Sequence, residues 1–161
     1  MTRAQAWTLH AAALLVGGSG LVYAWMRYAL EPLDEFAVVN HPWQPAMQHL
    51  HVLAAPLLVF ACALVWSEHV WKRVRGGHPR RRPTGLALFA LFFPMAFSGG
   101  LVQVAESEGL RRAAIWLHVL TGTLWCAAYA VHLALHLRRG KTGPSGESAA
   151  VSAKKRCGRA P

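Results

Sequence analysis

Of the nine histidines in this chain, three (His118, His132 and His136) share a single long apolar stretch. Residues 111–139 read RRAAIWLHVLTGTLWCAAYAVHLALHLRR, with His118 and His132 placed 14 residues apart. In a helix that spacing sets the two rings within ~40° of one face and ~21 Å apart along the axis. Roughly 25 apolar residues between arginine pairs are enough to cross a hydrocarbon core of about 30 Å. Ionisable side chains are costly inside a bilayer, so their presence there points to function. Two neutral imidazoles on one face, one near each membrane surface, suit two irons, each held in a haem beneath one leaflet.

A bis-histidine site needs a second ring at each depth, and the rest of the chain supplies candidates. Apolar residues fall into four blocks, 4–29, 46–71, 85–105 and 113–137, each near the length of a membrane span. We read them as an all-α, four-helix transmembrane bundle that runs up, down, up, down. His51 then lies at the depth of His118 near the outer leaflet, and His10 at the depth of His132 near the inner one. His49 precedes His51 by two residues, ~200° away around the helix, so only one of the two can face the bundle axis. His51 is chosen because its stripe continues through Ala55, Leu58, Cys62, Val65 and His69. The third block carries no histidine and reads as a wall, kinked at Pro94 and thin at Ser98, Gly99 and Gly100.

Two other readings of these histidines stand beside this one. His51 to His69 and His118 to His136 are each 18 residues apart, five turns at ~3.6 residues per turn. His69 and His136 are therefore in phase to form the inner couple, although both sit in a last turn among Lys72, Arg73, Arg138 and Arg139. As interfacial residues they would surround a quinone head or a proton path. Alternatively, each ring only hydrogen-bonds a neighbouring carbonyl in a polar seam. Zinc also takes imidazole, but it usually wants further protein ligands, and none lies at matching depth.

Charge fixes the expected orientation. The net charge is +10, which by itself would suit nucleic acid. Its placement argues otherwise: fourteen of the 17 lysines and arginines lie before the first block, between the second and third, or after the fourth. The positive-inside rule makes those segments cytoplasmic, N- and C-termini included. Five of the seven acids (Glu31, Asp34, Glu35, Glu106 and Glu108) fall in the two outer loops. The basic loop RVRGGHPRRRPTG lacks interleaved aromatics that would stack bases and reads as a topology anchor touching anionic lipid. Residues 1–139 thus form the membrane domain, and the polar, basic segment 140–161 a disordered cytoplasmic tail. Cys62, Cys126 and Cys157 form neither CxxC nor CxxCH, which excludes covalent c-type haem. The first block has the basic start of a secretory signal, but its apolar run is too long for one and favours a retained helix.

A four-helix chain with one histidine early in the first helix, one early in the second and H-x13-H in the fourth resembles the bacterial di-haem cytochrome b-561 type. It is also similar to the cytochrome b anchor subunits of formate dehydrogenases and nickel–iron hydrogenases. The ending HLALH belongs to the same likeness, which covers the four spans and rests on spacing. The resemblance implies His10, His51, His118 and His132 as iron ligands of two haem b groups, ahead of His49, His69 and His136. It further implies a quinone and a periplasmic or membrane redox subunit as partners, in the bacterial inner membrane. The expected function is electron transfer across the bilayer, by a self-contained oxidoreductase or the membrane anchor of a larger one. The expectation from another class is a small transporter or structural membrane protein using its histidines for a metal or proton path.

Overall fold

The computed structural model of the chain describes residues 2–32, 34–66, 71 and 83–141. These fold as four helices: α1 (Arg3–Tyr28), α2 (Gln44–Val65), α3 (Pro83–Val104) and α4 (Glu108–Lys141). No strand occurs among the described residues. The segments Arg3–Tyr28, Gln44–Val65, Pro83–Val104 and Glu108–Arg138 are each long and apolar enough to cross a membrane. The chain is an all-helical, multi-pass membrane protein. The basic loop between α2 and α3, with His69, and the tail beyond residue 141 lie outside the described residues.

Polar residues at the helix ends set where each element starts and stops. Thr2 and Gln5 close a reciprocal capping box at the head of α1: the Thr2 hydroxyl accepts from the Gln5 N–H at 3.2 Å, and Gln5 Oε1 accepts from the Thr2 N–H at 2.8 Å. That satisfies two donors a helix start leaves over. At the other end, the Asn40 amide donates to the carbonyls of Arg27 at 3.0 Å and Leu30 at 2.7 Å. The Asn40 N–H in turn donates to Oε1 of buried Gln44 at 3.1 Å. One loop residue thereby caps α1 and ties it to the start of α2. Pro45 follows in the first turn of α2, where a missing N–H costs nothing.

The last helix begins at Glu108 rather than near residue 113, because capping and charge extend it past its apolar run. The Ser107 hydroxyl accepts from the Leu110 N–H at 3.2 Å, and the Glu108 carboxylate pairs with Arg111 and Arg112. Both features favour a helix N-terminus.

The bundle packs as two hairpins: α1 lies along α2 and α3 along α4, while α1 meets α4 over a shorter stretch. Its core joins Ala12, Ala13 and Val16 of α1 to Ala54, Leu58 and Ala61 of α2, with Met95 of α3 and Trp125 of α4. Small residues predominate, and Ala61 is completely enclosed. Between lipid-exposed helices there is no hydrophobic drive, so association depends on such close backbone approach. The opposite faces are apolar too: Leu14 and Leu53 are each 78% exposed and Phe97 73%. In water this would be an aggregation surface; in lipid it is the expected exterior. Stacked Tyr28 and Trp116, 5.8 Å between centroids, join α1 to α4, and Trp66 lies 4.9 Å from Phe89 between α2 and α3.

Candidate functional site

His51 of α2 and His118 of α4 come into ring contact, with centroids 5.9 Å apart and planes crossed at 63°. Each ring is tied back to the partner helix of its own hairpin. His51 Nδ1 bonds the Val16 carbonyl of α1 at 3.0 Å, and His118 Nδ1 bonds the Met95 carbonyl of α3 at 2.9 Å. A carbonyl can only accept, so in both rings Nδ1 carries the proton and Nε2 keeps a lone pair. Among the described residues neither Nε2 takes part in a hydrogen bond. A ligating histidine commonly has this arrangement, donating its other N–H to a backbone carbonyl that fixes tautomer and ring direction.

Glycines make room for both rings. A Cβ added at Gly20 would fall 2.7 Å from His51 Cε1 and 2.9 Å from Nδ1; one at Gly99 would fall 2.9 Å from His118 Cε1 and 3.0 Å from Nδ1. No helix residue with a side chain could stand there unless the imidazole moved. Gly20 of α1, and Gly99 on the expected thin face of α3, thus each lie against an imidazole. A Cβ added at Gly17 would fall 3.1 Å from Cys126 Sγ, and no atom lies within 4 Å of one at Gly18 or Gly100.

The other two ligand candidates are held differently. His10 Nδ1 bonds the Tyr129 hydroxyl of α4, and the imidazole packs edge-on against Trp7. Tyr129 stacks on buried Trp125, 5.2 Å away and 10° from parallel. His132 Nδ1 bonds the Thr84 hydroxyl of α3 at 3.0 Å. A hydroxyl donates or accepts, so these partners leave the tautomer open where the carbonyls fix it. Sequence reading had no signal for either partner, since Tyr129 is 119 residues from His10 and Thr84 is 48 from His132.

The remaining histidines fall elsewhere. His49 is exposed and lines a cavity of about 310 Å³ with Gln48, Val52, Leu53 and Gln103. That agrees with choosing His51 as the inward ring of the two. His136 is exposed on α4. His41, in the loop before α2, accepts from the Trp43 N–H through Nδ1 at 3.1 Å. Cys62 and Cys126 are half-buried free thiols.

The donor set where His51 and His118 meet is two imidazoles; among the described residues no three His, Cys, Asp or Glu side chains group together. The approach of the two rings to 5.9 Å, with Nδ1 of each occupied by a carbonyl, leaves two Nε2 lone pairs as the donor set for a metal ion. Fit to a porphyrin also needs a dry surround, and both rings are only partly exposed between apolar helices. No protein-family model, curated protein or solved structure matches this chain.

Proposed function

We propose that this protein is a di-haem b-type membrane cytochrome that carries electrons across the bacterial inner membrane between a quinone and a redox partner. The observation that carries the reading is the meeting of His51 and His118, each with its Nδ1–H on a backbone carbonyl. In this reading His51 and His118 hold the outer haem and His10 and His132 the inner one. A bound haem supplies one-electron oxidation and reduction of its iron. The chain's own part is to present neutral imidazoles, exclude water with apolar helices, and separate the two sites along α4. Fourteen residues of continuous helix separate His118 from His132 by ~21 Å along the axis.

The helices run up, down, up, down with both termini cytoplasmic. Supporting this, the Gln5 amide donates to the Leu64 carbonyl at 3.4 Å while His51 bonds Val16, so the head of α1 meets the tail of α2. The acidic outer loops offer a docking face to a cationic redox subunit, and the quinone enters by resemblance to cytochrome b anchors.

The test is optical. Purified full-length chain reduced with dithionite should show a b-type α band, and a pyridine haemochrome assay should count two haems per chain. His51→Ala and His118→Ala should each remove one haem, the same one. A colourless protein would reject the reading and leave the histidines to a metal or proton path.

A further inference from the structure

The two halves of the outer site are built alike, residue by residue. On α1, Val16 offers its carbonyl to His51, Ser19 follows three positions on, and Gly20 four positions on lies against the ring. On α3, Met95 offers its carbonyl to His118, Ser98 follows three positions on, and Gly99 four positions on lies against the ring. Each serine hydroxyl donates to the carbonyl that the histidine also uses: Ser19 to Val16 at 3.2 Å and Ser98 to Met95 at 3.1 Å. Ser98 shares its proton with the Pro94 carbonyl, which lies closer at 2.5 Å. Both serines are buried, Ser98 completely.

We infer that Ser19-Gly20 and Ser98-Gly99 are two copies of one positioning element for an imidazole ligand. This inference rests on reading His51 and His118 as the iron ligands. The glycine lets the ring lie against helix backbone. The serine bonds back to its own helix, which bends a helix and tilts its carbonyls off the axis. A tilted carbonyl turns a lone pair toward the neighbouring helix, where the Nδ1–H of the histidine meets it. Nδ1 is then fixed as the donor, and Nε2 keeps its lone pair. Because the element occurs once in each hairpin, docking of the hairpins brings two equivalent rings together at one point. A buried serine would bond back to its helix in any case, but that alone gives no reason for the same carbonyl to serve an imidazole twice.

The element makes predictions that a packing role would not. In full-length protein purified in detergent, Gly20→Ala and Gly99→Ala should each weaken retention of the outer haem by about 10–100-fold, the range for loss of a ligand-orienting contact. They should also convert the haem that remains there from low-spin to high-spin in absorption and electron paramagnetic resonance spectra. Gly18→Ala and Gly100→Ala, which meet open space, should leave both readouts unchanged. Ser19→Ala and Ser98→Ala should shift the outer haem's midpoint potential in the same direction, and Ser19→Thr, which keeps the hydroxyl, should restore it.

A readout independent of haem is the ring nitrogen-15 spectrum of haem-free protein. It should show His51 and His118 with the proton on Nδ1, and mixed tautomers for His51 in Ser19→Ala and for His118 in Ser98→Ala. If Gly20→Ala or Gly99→Ala fails to fold, the serine variants, which only remove an atom, decide the matter. Unchanged spin state and tautomers in the variants would overturn the inference. So would mixed tautomers in the unaltered protein. A wild-type protein with Nδ1-protonated rings but no haem would refute the cytochrome and keep the positioning element.

Discussion

A carbonyl and a hydroxyl are not equivalent partners for an imidazole, and the difference separates His51 and His118 from His10 and His132. Val16 and Met95 can only accept, so His51 and His118 have defined tautomers. The ring of His10 depends on which way the Tyr129 proton points. If His10 binds iron through Nε2, Tyr129 must accept from Nδ1–H and so raise the basicity of the ligand. Tyr129→Phe should then raise the reduction potential of the inner haem and weaken its retention about 10–100-fold, measured by potentiometric titration and haem counting. His136 is exposed, so His136→Ala should leave the haem count at its wild-type value. His10→Ala should remove the inner haem; loss of that haem in His69→Ala instead would reassign the ligand.

Helix packing here relies on small residues, and the junction of α1 with α2 on the Asn40 amide. Ala61 of α2 is fully enclosed in the core, and a larger side chain there must push the helices apart. Ala61→Leu should lower stability by about 1–3 kcal/mol, the usual cost of overpacking, read as an earlier thermal transition in detergent. Asn40→Ala removes hydrogen bonds to the carbonyls of Arg27 and Leu30. At about 0.5–1.5 kcal/mol for each bond, the loss should be about 1–3 kcal/mol in the same measurement. Its effect should be confined to the outer end, with the haem count unchanged.

At the scale of the whole molecule the question is which way the bundle sits. Phe36, in the loop between α1 and α2, is 88% exposed, and the positive-inside rule puts that loop on the outer side. In a background lacking Cys62 and Cys126, Phe36→Cys should react with a membrane-impermeant maleimide in intact cells. Native Cys157, in the basic tail, should react only after the membrane is opened. Labelling in the reverse order would invert the bundle and exchange the two leaflets assigned to the haem pairs.

The number of spans could be read from the chain alone because each span is a long unbroken apolar run, and hydropathy over such a length needs no tertiary partner. The choice of His51 over His49 came from its stripe through Ala55, Leu58 and Cys62, since a two-residue step on a helix only puts the two rings on different faces. Boundaries were less legible: α4 starts at Glu108 through capping and ion pairs that an apolar count does not see. The matched depths of His51 and His118 came from counting residues, but their 5.9 Å approach depends on how two hairpins dock. Nothing local could foretell that Gly20 and Gly99 face imidazoles while Gly18 and Gly100 face open space. Hydropathy and helical period belong to one segment at a time. The partner of a ring nitrogen belongs to two, and only the packing of α1 on α2 and α3 on α4 decides it.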